Sequence, residues 1–453
     1  MWILRRCVLA PLLIAFATAA LIALPPHSNA RAAEPSVVFA ALEILAQRHV
    51  ARPDPVKLLD AAVDGLRQAL FRVGIAVQLA NITAADDAGA RREFQAQFDR
   101  ALATGARTIG NTETVLQYFA AAVMAASLED SHTWFAIPEQ WQELLRRQRG
   151  EASYSGIGIR LLHQDSRFYI IDVYPDGPAA RAGLKPLDRV LAFDGRAAAG
   201  MMLGQVVART RGSQGTRVSI TVQRPGQSDP LTVPVTYAPI VIPTSESRML
   251  DGSIGYIKFR QFTQGSSGEL GRSLEDLLGR GMRGLVLDLR GNLGGSEQEL
   301  VSIAGMFLAP GLPVAIMRSG QGERTELTTT GSPRLNPSTP VTVIIDRDTS
   351  SAGEVLAAAF QEHSRGPLVG GRTAGRVGFG AGYALPGGAA ILVTIRTVTT
   401  GRDVVLEKHG ARPDVAVELS TADLDRGVDA PLHRAVQLTA QRVARRTLIA
   451  VHR

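Results

Sequence analysis

The chain is poor in cysteine: of 453 residues only Cys7 is one, and it precedes an apolar run near the N-terminus instead of following it. Beyond that point there is no thiol. Disulfides, cysteine metal ligands and a cysteine nucleophile are therefore excluded, and an oxidising compartment is permitted without being required. A lipid-attachment cysteine would have to follow an apolar run, so that is excluded too. Aromatic residues are scarce, at 5%, which leaves little to stack single-stranded bases on. The formal charge of +7 falls to roughly +4 without Arg5, Arg6 and Arg31, and the remaining arginines are scattered among acids. Arg442, Arg445 and Arg446 form the nearest thing to a basic cluster and read as a solvated helix face, so no nucleic-acid partner is expected. No ligand cluster with metal spacing is present, and neither a metal nor a cofactor is expected.

What is present begins with Arg5-Arg6, an apolar run over 8–24, and Ala30-Arg31-Ala32. This pattern predicts an export signal, 1–32, cleaved before Ala33, with a periplasmic or secreted destination. The alternative is an uncleaved membrane anchor, because the run approaches the length that spans a bilayer. Residues 36–149 carry apolar side chains at helical spacing, among them Leu42, Leu45, Leu58, Leu59, Ala62 and Leu66. Small and polar residues at 150–156 mark a boundary. From 153 to 226 short strands are expected at 168–174, 189–193 and 217–222, with a short helix at 178–184 that has Pro near its start and Gly near its end. From 241 to 420 strands (254–259, 285–289, 342–345, 390–394) alternate with helices (266–279, 298–307, 352–363), and a helical segment at 421–453 closes the chain. The fold class is α/β, a core with a mixed sheet preceded by a helical N-terminal region and a small barrel-like module.

The stretch Thr349-Ser350-Ser351-Ala352-Gly353-Glu354 lies between an apolar β-branched run at 341–345 and an apolar helical run at 355–360. A serine at such a strand–turn–helix junction is either a helix cap or a nucleophile with helix-terminal N–H groups facing what it attacks. Asp288-Leu289-Arg290-Gly291-Asn292-Leu293-Gly294-Gly295 also follows a strand and precedes a helix. Its glycine spacing does not fit a dinucleotide site, and no Gly-Lys-Ser/Thr follows to make a phosphate loop. The loop is either a structural turn or a source of oxyanion donors, Gly294 or Gly295, beside the N–H of Ala352.

The order Gly156-Ile157-Gly158-Ile159, Pro178-Ala179-Ala180, Ala182-Gly183-Leu184, Asp288 to Asn292, Ser350 to Glu354 and Gly410-Ala411-Arg412-Pro413-Asp414 resembles the carboxyl-terminal processing (tail-specific) serine peptidases. The resemblance runs from about Glu129 onward. It implies that Ser351 is the nucleophile and that 153–226 is a PDZ domain, whose Gly156, Ile157, Gly158 and Ile159 present N–H groups to a peptide's terminal carboxylate beside a strand edge. It also exposes a departure. Many of these peptidases use a lysine base in a downstream glycine-rich loop, and here Arg376 occupies that place while Gly380 replaces a supporting glutamine. A guanidinium does not give up its proton at working pH and cannot serve as base. Of the eight histidines, His132 in Glu129-Asp130-Ser131-His132-Thr133 is the best replacement, because that segment resembles the Ser-His motif of the histidine-using tricorn protease core. His409 is a weaker rival, and His363 lies about 18 Å along Ser351's own helix. By the same resemblance Ser131 and Glu407 support the site. The expectation is an exported serine endopeptidase acting on polypeptides with exposed C-termini; the alternative is a catalytically inactive peptide-binding member of the family.

Overall fold

The computed structural model describes residues 35–149, 151 and 154–451. The expected signal, with Cys7, lies outside the described residues. Among the described residues no helix is long and apolar enough to cross a membrane. The chain divides into two compact units, the first made of 35–142, 318–324 and 378–397 and the second of the rest.

The first unit is built on four helices, Ser36–Arg48, Pro55–Arg72, Asp87–Gly105 and Thr112–Ala126. Asp54 starts the second of them by accepting from Val56 N at 3.0 Å, with Pro55 in the first helical position, where a missing N–H costs nothing. Leu58, Leu59, Ala62, Val63, Leu66 and Leu70 form its buried face. A Cβ on Gly65 would lie 2.5 Å from Phe119 O, so this glycine sets how closely the second and fourth helices approach. The helices do not close their own core. Leu385, Ala389, Ile391 and Val393 join it from much later in the chain. Strands Trp134–Ala136 and Gly378–Ala384 both pair antiparallel with Ala390–Thr400. The late strand expected at 390–394 in the main sheet therefore belongs to a different one, because its apolar face is needed to cover the helices.

In the second unit a six-stranded sheet runs in the order Ser245–Leu250, Ile254–Phe259, Gly284–Asp288, Val341–Ile345, Leu368–Gly370, Val415–Ala416. The first pair is antiparallel and the others parallel, so the sheet is mixed. Its three central strands are buried throughout, as expected of strands covered on both faces. Helices Ser266–Gly279, Glu297–Phe307 and Ala352–Glu362 pack into one apolar cluster, and Ala430–Val451 packs Leu432, Ala435, Val436 and Leu438 into the other. The small module has its own antiparallel sheet, ordered Ile159–Gln164, Arg167–Val173, Arg189–Phe193, Arg217–Gln223, Leu231–Thr236, and its own core around Phe168, Phe193 and Ile220. The short helix Pro178–Arg181 is followed by Gly183 at φ +85°. Bidentate Arg260–Asp172 contacts at 2.9 Å and Tyr169 Oη to Asp425 at 3.0 Å fasten the module to the sheet domain.

Candidate active site

Ser351 stands where Val341–Ile345 turns into Ala352–Glu362, at φ 54°, ψ −126°. A side chain at positive φ stores about 1–3 kcal/mol of strain, and such residues cluster at functional sites. The strain is sustained by the surroundings. Ser351 N donates to Arg376 O at 2.8 Å and to Glu354 Oε2 at 3.1 Å. Glu354 is fully buried and also accepts from Thr373 Oγ1 at 2.5 Å, Gly375 N at 2.8 Å and Arg376 N at 2.9 Å. One carboxylate thus ties the Ser351 turn to the 373–376 loop. Burial raises its pKa despite these donors.

The 288–295 loop is held as firmly. Asp288 accepts from Tyr256 Oη at 2.8 Å, Lys258 Nζ at 3.1 Å and Arg290 at 2.7 Å, and Arg290 is bidentate to Asp429 at 2.8 Å. Burial pushes the Asp288 pKa up, but Arg290 and Lys258 outweigh it and hold it well below the usual range. Burial lowers the Lys258 pKa, yet its ammonium is spent on Asp288 and on Arg290 O at 2.8 Å. Asn292 O accepts from Ser350 N at 2.8 Å, so this loop braces the serine turn directly.

Of the expected oxyanion donors, Gly294 changes role. Its N–H goes to Asn292 Oδ1 at 2.8 Å, which removes it as a donor to a ligand in this geometry. What Gly294 provides is room: a Cβ there would lie 2.6 Å from Ser351 Cβ and 2.8 Å from Ala352 N. Gly295, at φ +140°, is pressed against Phe262 O in the same way. Among the described residues no protein acceptor is found for Ala352 N–H.

Arg376 is exposed, and its backbone does the work just described. Glu407 Oε2 accepts from Val377 N at 2.5 Å, so this half-buried carboxylate steadies the same loop. Lys408 N reaches Gly375 O at 2.7 Å. The imidazole of His363 is turned to Pro313 O at 2.8 Å. A cleft of about 290 Å³ in the second unit is lined by Ser350, Leu293, Ala374 and Arg376 beside the Ser351 turn and by Tyr154, Asp172 and Tyr174 near the small module. In the module's Gly156–Ile159 turn, Ile157 N is committed to Thr210 O at 3.0 Å, and Ile159 is paired with Val173 in the sheet. Gly158, at φ +77°, is the member of the expected donor run without such an engagement among the described residues.

His132 belongs to the first unit. Its Nδ1 is 2.8 Å from Ser131 Oγ. Its ring rests on a glycine face: a Cβ on Gly378 would lie 3.1 Å from Nδ1, and one on Gly380 3.5 Å from His132 Cβ. Gly382 faces Trp141 likewise, at 2.4 Å. Alternate residues of a strand share a face, so Gly378, Gly380 and Gly382 make one bare strip. Gly378 and Gly380 thus leave the space in which the His132 side chain sits. The loop below is organised by Asp130, whose Oδ1 accepts from His132 N at 2.9 Å and Thr133 N at 2.7 Å. Reading the sequence did not single out Asp130, Glu354 or the glycine strip. Only the strip had a visible signal, the i, i+2 spacing.

Comparison with known proteins gives a consistent result. Residues 253–417 match the model of peptidase family S41, and 169–224 that of a PDZ domain. The carboxyl-terminal-processing protease of Synechocystis is 31% identical over 335 residues, which cover 72% of this chain and 78% of that one. Its counterpart in Picosynechococcus is 32% identical, covering 66% and 72%. Among solved structures, a photosystem II D1 C-terminal processing protease superposes with a TM-score of 0.52 at 23% identity, covering 88% of this chain and 98% of that one.

Proposed function

From the premise that the chain belongs to peptidase family S41, among the carboxyl-terminal processing proteases, and is a serine-type peptidase carrying a PDZ domain, we propose that it is an exported endopeptidase working through Ser351 and His132. Ser351 Oγ attacks the scissile carbonyl as His132 takes its proton. The developing oxyanion is met by Ala352 N–H, with Gly295 as second donor. The imidazolium then protonates the leaving amine, and water resolves the acyl-enzyme by the reverse relay. Ser131 Oγ fixes the ring through Nδ1, and Nε2 is the nitrogen that takes part in the proton transfer. Glu407 acts through the 373–377 loop. The PDZ domain takes up polypeptide C-termini, and the leader pattern at 1–32 supports export.

The observation that carries this reading is an imidazole tied to a serine hydroxyl on a glycine strip, in a chain that has lost the lysine base. The test is hydrolysis of an unfolded, tailed polypeptide. Ser351→Ala and His132→Ala should each abolish turnover, and normal turnover by His132→Ala would remove His132 as base. Arg376 in the lysine's place favours one other reading, a non-catalytic peptide receptor, which would bind the same polypeptide and never cut it.

A further inference from the structure

We propose that Asp130 is a positioning residue for the base, held in place by His49; this rests on the Ser351–His132 reading. Asp130 is followed two residues later by His132, yet it does not touch the imidazole as a triad aspartate would. It grips the backbone that carries the ring. Its Oδ1 takes His132 N, Thr133 N and Thr394 Oγ1, at 2.9, 2.7 and 2.6 Å. Its Oδ2 takes His49 Nε2 at 2.7 Å. His49 comes 81 residues earlier, just past the end of helix Ser36–Arg48, and is 5% exposed.

The roles within this pair follow from its other bonds. His49 Nδ1 accepts from Ala51 N at 3.1 Å. With Nδ1 accepting, Nε2 is the nitrogen that donates to the carboxylate. Thr394 adds a second anchor: its N–H donates to Thr133 Oγ1 at 3.0 Å, and its carbonyl accepts from Val50 N at 2.8 Å. The turn bearing Ser131 and His132 is therefore fixed between the end of a helix and the strand Ala390–Thr400 by one carboxylate with four donors. Burial pushes that carboxyl's pKa up, but the donors, His49 first, outweigh it and hold it low, so it remains an acceptor. Rigid mounting of a general base matters because proton transfer needs heavy atoms within about 2.6–3.2 Å, and small misplacements far from the chemistry cost rate.

The experiment is steady-state hydrolysis of an unfolded tailed polypeptide by Asp130→Asn, His49→Ala and His49→Gln in the full chain, together with the rate at which a serine-directed acylating probe modifies Ser351, each alone and in a His132→Ala background. Asp130→Asn should lower kcat by about tenfold to a hundredfold with KM within about twofold. His49→Ala should lower it by about tenfold, and His49→Gln, whose amide N–H replaces Nε2–H, should recover most of that. In the His132→Ala background, Asp130→Asn should slow acylation no further. Full turnover by both Asp130→Asn and His49→Ala overturns the inference. So does a loss that multiplies on top of His132→Ala, because that would show Asp130 acting on something other than the base. If Asp130→Asn does not fold, the His49→Ala and His49→Gln pair decides. Normal turnover by His132→Ala itself defeats the underlying mechanism, a result separate from an inactive His132→Ala beside an unimpaired Asp130→Asn.

Discussion

The Ser351 region of the second unit and the His132 region of the first are built with the same device and opposite electrostatics. Each mounts its serine or histidine on a turn whose N–H groups converge on one carboxylate, Glu354 or Asp130. Glu354 is fully buried and its pKa is raised, whereas the Asp130 side chain keeps 20% exposure, has an imidazole donor and is lowered. The difference shows that similar convergent hydrogen bonds can leave a carboxyl shifted either way, burial outweighing the donors at Glu354 and the donors outweighing burial at Asp130.

The largest effect should come from removing a reacting group on either side. Ser351→Ala and His132→Ala should each lower kcat by at least about 10²-fold with the fold intact by circular dichroism. An asymmetric result, with only Ser351 needed, would break the pairing of the two regions.

Next, Glu354→Gln should destabilise the chain by about 1–3 kcal/mol and lower kcat. Its amide would point N–H groups at donors that now find acceptors, leaving buried partners unsatisfied. Denaturant unfolding and kcat measure the two effects. A wild-type kcat would show that the nucleophile turn does not depend on this carboxylate.

Gly378→Ala should be milder and local. The added methyl would sit 3.1 Å from His132 Nδ1, at a strand position without positive φ, so stability should stay within about 1 kcal/mol while kcat falls severalfold. Gly380→Ala, with 3.5 Å of clearance, should fall less. Equal effects from both would argue that the strip is not shaped to the imidazole.

The smallest effect is in pH dependence. The folded chain binds the Glu354 proton more tightly than the unfolded chain does, so this group's contribution to stability declines as pH rises through the interval above the ordinary value of 4.5. Asp130 runs the other way: its contribution is complete above 3.8 and is lost as pH falls below it. Unfolding followed from pH 3 to 7 should therefore show Glu354→Gln flattening the upper part of the profile and Asp130→Asn only the lower part. Both changes in one interval would contradict the comparison.

Much of this was readable from local pattern. The strand at 168–174, the helix at 352–363 and the serine at a turn between two apolar runs announce themselves through periodicity and turn chemistry, which act over a few residues. That Arg376 cannot act as a base was legible, because guanidinium chemistry is independent of fold. The supports were not. His49 and Asp130 lie 81 residues apart, and nothing local marks a histidine after a helix as the partner of an aspartate. Glu354 sat inside a recognised motif, but its role depends on Thr373, Gly375 and Arg376 folding back onto it. Gly294 read as a donor from its place in a glycine-rich loop, and only the position of Asn292 shows that its N–H is taken. The strand 390–394 was recognised as a strand, but which sheet it joins depends on the apolar face of helices three hundred residues earlier.

The most direct test is the rate at which a serine-directed acylating probe modifies Ser351 in the wild-type chain and in His132→Ala. The account predicts labelling of the wild type that Ser351→Ala abolishes, and labelling at least about 10²-fold slower in His132→Ala. An unlabelled wild type, or His132→Ala labelled at the wild-type rate, would contradict it.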